Sequence, residues 1–236
     1  MPRNTTSKEK FKTKHGVFDN FTNTTLFKLI SRGYFEGIQS PISIGKESNV
    51  FSALRKDNSK IIIKIYRLET SDFNRMYEYI RADSRYPKMK KSRRKIIFTW
   101  VQREYRNILR AREASVVVPT PLGFLNNVLV LEYIGDDMVA KKLKDDIPDN
   151  PKTFFNKIID NMRKLHKAGL VHGDLSPFNI LNHNETPVFI DFSQGTTTEH
   201  PNFKEYLQRD IKNISTFFTK QGLNINTDKI YDKITK

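Results

Sequence analysis

Residues 170–181 read Leu-Val-His-Gly-Asp-Leu-Ser-Pro-Phe-Asn-Ile-Leu, and the rest of the chain is organised around them. Asp174 is followed five positions later by Asn179, with apolar residues on both flanks. A second acid, Asp191, ends the strand-like run 187–190 after a polar turn, NHNET, at 182–186. An Asp, an Asn at that spacing and then a strand-borne Asp suit phosphoryl transfer with magnesium. The first orients or deprotonates an attacking hydroxyl, and the other two hold metal against phosphates. Each residue alone would be a turn former or a strand end. The spaced set is specific.

Composition narrows the setting. The chain has 236 residues, enough for a core in one or two lobes. It carries 41 Lys and Arg against 26 Asp and Glu, a formal charge of +15. A nucleotide alone needs no such excess, so the charge points to a polyanionic partner, with RNA the natural candidate. The absence of cysteine excludes a disulfide partner, a thiol nucleophile and Cys-ligated zinc. No apolar run approaches the ~18 residues of a membrane span and no signal peptide leads the chain, so a soluble cytoplasmic protein is expected.

Upstream of the loop, Lys64 interrupts the apolar run IIIKIY at 61–66. A buried ammonium is costly unless paired, and a phosphate plus a carboxylate are its natural partners. The alternative is a strand lysine reaching out from an edge. Glu104 is the carboxylate candidate: in the helical run from Ile96, it shares a face with Val101, Tyr105 and Ile108. Before Lys64, ISIGKESNVFSAL at 42–54 sets a tight Gly45-Lys46-Glu47-Ser48 segment between apolar runs. Its amides and Ser48 could cradle phosphates, although a plain hairpin turn is the simpler reading, and it matches neither Walker A nor G-x-G-x-x-G. Two further strands within 116–134 run into Gly135-Asp136-Asp137, a hinge, which would leave backbone groups of Glu132 and Ile134 to meet adenine. An amphipathic helix at 153–168, ended by Gly169, feeds the loop; a last helix at 203–218 precedes a polar tail.

Two segments read differently. Residues 1–15 are polar and basic and are expected to be disordered; a short helix follows within 18–34, with Asn23 or Thr24 as its cap, Leu26, Phe27 and Ile30 on its apolar side, and Gly33 at its end. Residues 67–95 end in RYPKMKKSRRK. Such a run is a solvated, mobile surface or, interleaved with Tyr77, Tyr79, Tyr86 and Trp100, a face that grips RNA.

Phosphate loop, strand lysine, helix glutamate, hinge, Asp-then-Asn and metal Asp follow one another in the order of the protein kinase-like fold. In ISIGKESNVF, IKIYR, WVQREYRNILRA, VPTP, NVLVLEYIG, LVHGDLSPFNIL, FIDFSQ and EHPNFKEYLQRDIKNISTFF, the chain resembles the RIO family of atypical serine/threonine protein kinases, type-1 branch, in a minimal archaeal-like form. The resemblance covers about 42–218. It implies an α+β, two-lobed kinase-like fold without activation segment or peptide-docking subdomain. Residues 1–40 would form the basic tail and short helix, 41–134 an N-lobe of antiparallel sheet plus helix with a flexible basic insert at about 67–95, and 135–236 a reduced, mostly helical C-lobe.

The resemblance also implies roles. Lys64 would contact the α/β-phosphates and pair with Glu104; Asp174 would be the base; Asn179 and Asp191 would hold the metal. Ile44, Gly45, Lys46, Glu47, Ser48, Val50, Glu132 and Ile134 would complete the nucleotide site. The implied cofactors are ATP and Mg2+, or Mn2+ in its place. In this family the metal Asp also accepts phosphate, which puts an aspartyl-phosphate on Asp191 during ATP hydrolysis. The implied partner is the pre-ribosomal small subunit with its rRNA. Gly173 departs from a common Ala, Pro177 from a frequent Glu, and Phe-Ser-Gln follows Asp191 where other kinases have Phe-Gly. A small-molecule phosphotransferase of the aminoglycoside/choline kinase type and an RNA-binding assembly factor with nucleotide as a switch are the competing readings.

Overall fold

Isoleucines at alternate positions, Ile61, Ile63 and Ile65, build the structure's main sheet from its centre. In a strand, successive side chains face opposite ways, so Lys64 and Tyr66 fall together on the other face. The computed structural model describes residues 18–86, 89 and 91–236. The expected disorder of 1–15, and the cations Lys88 and Lys90, lie outside the described residues.

The sheet has five antiparallel strands: β1 (Gly37–Ile44), β2 (Ser48–Leu54), β3 (Lys60–Tyr66), β4 (Pro121–Leu125) and β5 (Val128–Glu132). Their spatial order is β1-β2-β3-β5-β4. One face packs Phe51, Ala53, the three isoleucines, Val128 and Val130 against α1 (Asn20–Ser31). Asp19 caps α1 by accepting the Thr22 N–H at 3.0 Å, so Asn23 and Thr24 lie inside the helix and neither caps it. Of the expected apolar side, Leu26 is buried and Ile30 packs at the edge of the core, whereas Phe27 is 53% exposed and Leu29, with Thr22 and Thr25, is buried instead.

The other face meets α3 (Arg93–Glu113), which begins three residues before the expected Ile96 and turns the cations at 93–95 into its first turn. Inside the basic insert, α2 (Phe73–Arg81) is capped by Asp72 and buries Met76 and Ile80. This part of the insert is packed structure, not a solvated run. Trp100 is 2% exposed, so it cannot offer a face to a base.

The second half is mostly helical. Asn150 caps α4 (Pro151–Lys167), which ends at Gly169 as expected. Short strands β6 (Leu170–Val171) and β9 (Thr196–Thr197) pair, and β7 (Ile180–His183) forms a hairpin with β8 (Thr186–Phe189). Only residues 192–202 separate Asp191 from α5 (Phe203–Lys220). The tail expected to be merely polar holds α6 (Thr227–Thr235), capped by Asn226, with Ile234 buried where α6 packs on α4 and α5. Among the described residues no helix is long and apolar enough to cross a membrane.

Candidate active site

A cleft of about 730 Å³ runs between the sheet and the helical half. Gly45, Lys46, Glu47, Ser48 and Val50 line it from the β1–β2 turn, Lys64 and Glu104 from its back, Glu132 and Ile134 from the connection, and Asn179 and Asp191 from below. Ile44 does not join them; it is 63% exposed. The GKES turn is a hairpin, closed by the Gly45 N–H on Ser48 O at 3.0 Å, and it lines the cleft as well.

Lys64 is 6% exposed, which removes the edge-lysine alternative. Its Nζ lies 2.8 Å from Glu104 Oε1 and 2.9 Å from Asp191 Oδ1. Tyr66, two residues along the same strand face, donates its hydroxyl to Glu104 Oε2 at 2.5 Å. Burial disfavours the ammonium, but Asp191 and Glu104 outweigh it and hold the Lys64 pKa well above its ordinary value. Burial likewise pushes Glu104 up against the pull of Lys64. For Asp191, burial would raise the pKa, but Lys64 prevails and holds the carboxylate at about 2. A charged cluster of this kind persists because each charge has its partner, and removing one member of a buried pair costs about 3–5 kcal/mol.

Asp191 itself has φ 64° and ψ 66°, a left-handed conformation uncommon outside glycine and a frequent mark of functional positions. Asp174 sits in the loop beside it. Burial first, then the Asp191 charge, raise the Asp174 pKa, while Arg209, Arg75 and Asn179 oppose the rise. His172 ties the two acids together: its Nε2 meets Ile190 O at 3.0 Å, and its Nδ1 accepts the Asp174 backbone N–H at 3.3 Å. Burial keeps that ring neutral, with a pKa of about 4.

Asn179 donates its Nδ2 to Asp174 O at 2.9 Å, which leaves Oδ1 without a protein donor among the described residues. That oxygen and the Asp191 carboxylate are the hard ligands a magnesium ion takes, with phosphate and water completing its shell. The residues fit the metal. At the hinge, Gly135 adopts φ 140°, and an added Cβ would lie 2.2 Å from Met138 O. The Glu132 N–H is already bonded to Thr120 O at 2.9 Å, so of its backbone groups the amide is not free for adenine. The Ile134 carbonyl is taken by Ala140 N–H at 2.9 Å, but the Ile134 N–H has no protein acceptor among the described residues.

A family model described as RIO domain matches residues 49–230. The chain belongs to the RIO family. It is 40% identical over 229 residues to the RIO-type serine/threonine-protein kinase Rio1 of Haloferax volcanii, covering 96% of this chain and 79% of that protein. Against Rio1 of Methanocaldococcus jannaschii the identity is 41% over 231 residues, covering 96% and 78%. Human RIO1 is 35% identical over 217 residues, and there the match spans 89% of this chain but 38% of the longer protein. Two crystal structures of Rio2 kinase from Chaetomium thermophilum superpose with TM-scores of 0.71 and 0.72 at 22% and 21% identity. They cover 91% and 93% of this chain, and 66% and 70% of theirs. The fold is therefore the α+β, two-lobed kinase-like fold, and the RIO relatives are named serine/threonine kinases.

Within this RIO domain, several residues that hold the site escaped the sequence reading. Asp210, on α5 and 1% exposed, accepts the N–H groups of Gly173 and Leu175, both at 2.8 Å. Arg209 donates to the Gly173 carbonyl. The signal was an acid inside the apolar stripe Tyr206, Leu207, Ile211, Ile214. Gly173 has φ 77°, and a Cβ there would lie 2.8 Å from Gln194 O, so in this chain the loop sits closer to the turn after Asp191 than an alanine allows. That turn is held by Asn107, whose Nδ2 donates to Phe192 O at 3.0 Å and Gly195 O at 2.7 Å. Arg103 donates to Ser193 O at 3.0 Å and is itself paired with buried Asp83 at 2.9 Å.

Burial pushes the Asp210 carboxyl up to about 7, against the two N–H donors and Arg209. A carboxyl whose folded pKa lies above its unfolded value near 3.8 stabilises the fold fully at low pH and loses that contribution as pH rises through 7. The stability of the wild type relative to Asp210→Asn should therefore rise as pH falls from 7 toward 4. Denaturant unfolding at each pH measures it, and a difference independent of pH would refute the shift.

Proposed function

We propose that this RIO domain is a magnesium- and ATP-dependent kinase and ATPase that acts, in the cytoplasm, on the maturing small ribosomal subunit. The observation that carries the reading is the convergence of buried Lys64 and Glu104 with Asp191, which opens on the cleft, in one ion-paired cluster beside Asp174 and Asn179. Lys64 would meet the α/β-phosphates, as strand lysines do in kinases, and Asn179 and Asp191 would hold magnesium. Bound magnesium would offset the charge that develops on the phosphates. Asp174 would take the proton of the attacking hydroxyl or orient water.

The Rio2 neighbour is described as a complex with ADP, Mg2+ and phosphoaspartate. By analogy, an Asp191 carboxylate oxygen would take the γ-phosphoryl group as ADP leaves. Water would then cleave the acyl phosphate, returning the carboxylate and releasing phosphate. Only residues 192–202 intervene before α5, which gives a peptide substrate little to dock on. The +15 charge supports a polyanionic partner, rRNA in the pre-ribosomal particle. Lys91, Arg93 and Arg94 lie over the rings of Tyr77, Phe73 and Phe21, at 5.4, 5.0 and 4.8 Å from their centroids. They hold cationic heads on an ordered surface.

The test is ATP turnover with magnesium, with and without purified pre-ribosomal small subunits. Stimulation by the particles is expected. Rapid transfer to an aminoglycoside or a small alcohol, indifferent to particles, would replace this reading with a small-molecule phosphotransferase.

A further inference from the structure

Beside Asp174 stands Gln194, in the short 3-10 turn that follows Asp191. Its Nε2 donates to Asp174 Oδ2 at 3.2 Å. Its Oε1 accepts from the Tyr79 hydroxyl at 2.9 Å and from Arg75 Nη2 at 3.4 Å. Both of those donors stand on α2, the helix inside the basic insert.

The orientation of this carboxamide is decided by chemistry. A guanidinium only donates and a carboxylate only accepts. Turned over, the amide would set its NH2 against Arg75 and its oxygen against Asp174, two repulsive contacts in place of two bonds. Tyr79 is firmly placed for its part: its ring stacks on Tyr206 of α5 at 5.7 Å and meets the edge of Trp100 of α3 at 5.9 Å. The backbone on either side of Gln194 is pinned as well, by Arg103 on Ser193 O and by Asn107 on Gly195 O.

The consequence falls on Asp174. Its Oδ2 receives Gln194 and, at 3.4 Å, Asn179, whereas Oδ1 has no protein donor among the described residues. We propose that Gln194 is a positioning residue for Asp174: held by Tyr79 and Arg75 of the insert helix, it occupies Oδ2 and so leaves Oδ1 as the oxygen that accepts the proton of the attacking hydroxyl. The inference rests on the reading of Asp174 as the base. It gives part of the insert a second task, since the side chains that orient Gln194 belong to it. Gln194 does not line the nucleotide cleft, so its effect belongs to the chemical step and not to nucleotide binding.

The experiment compares kcat, KM for ATP and nucleotide affinity in Gln194→Glu, Gln194→Ala, Tyr79→Phe and Asp174→Asn. Gln194→Glu is isosteric and would preserve any purely structural packing, but it puts an acceptor against Asp174. It should lower kcat by 10-fold or more, at least as much as Gln194→Ala, with KM for ATP and nucleotide affinity near wild type. Tyr79→Phe, which removes one hydroxyl, should lower kcat several-fold with the same unchanged KM. Normal kcat in Gln194→Glu beside an inactive Asp174→Asn would overturn the inference and leave the base reading standing. Normal turnover in Asp174→Asn would remove both together.

Discussion

Asp174→Ala should lower phosphoryl transfer by roughly 10²–10⁴-fold, the usual contribution of a positioned general base, while nucleotide affinity stays close to wild type. The separation follows from where the side chain sits. Asp174 is absent from the cleft lining that includes Lys64, Glu47 and the hinge residues, so its removal leaves those nucleotide contacts in place. Its backbone is held independently: His172 Nδ1 accepts its N–H, and Asp210 accepts the amides on either side. Truncation at Cβ therefore deletes the acid without collapsing the loop. Turnover assays paired with nucleotide titration check it, and weakened ATP affinity with normal turnover would contradict the role.

Asp191→Asn should have an effect as large for a different reason. The amide keeps the shape but discards the charge that faces Lys64 at 2.9 Å and that would hold a divalent cation with Asn179. Lys64 then has Glu104 as its remaining ion-pair partner. Magnesium should no longer support turnover at concentrations that saturate the wild type, and raising it should restore little. A magnesium titration of the rate decides the point, and an unchanged curve would sink the metal role.

The residues a reader of the chain could find are those whose chemistry conflicts with their neighbours. Lys64 stands out because it breaks a run of isoleucines, and Asp174, Asn179 and Asp191 stand out through their spacing. Glu104 follows from helical period alone, once a buried lysine asks for a partner. The order of these parts then carried the fold. The supports of the site were harder to see because their meaning lies in tertiary contacts. Asn107 and Arg103 look like ordinary polar positions of a helix until the turn after Asp191 is laid beside them. Gln194 has no local pattern to mark it. In the insert, the density of Lys and Arg concealed Met76 and Ile80, two apolar residues at helical spacing that are enough to seat α2. At the C-terminus, Ile234 anchors a helix whose remaining surface is mostly polar. Thr22 and Thr25 join the buried side of α1 for a similar reason: they accept hydrogen bonds from Asn127 and Asn126, partners more than a hundred positions away.

The measurement that bears most directly on the whole account is a trapping experiment. Wild type and Asp191→Asn are each mixed with γ-labelled ATP and magnesium, quenched, and tested for label bound to protein and released by hydroxylamine. The account expects a hydroxylamine-labile adduct in the wild type that vanishes in Asp191→Asn and when magnesium is chelated. An adduct of equal size in Asp191→Asn, or ATP cleavage that proceeds at the wild-type rate without that carboxylate, would contradict it.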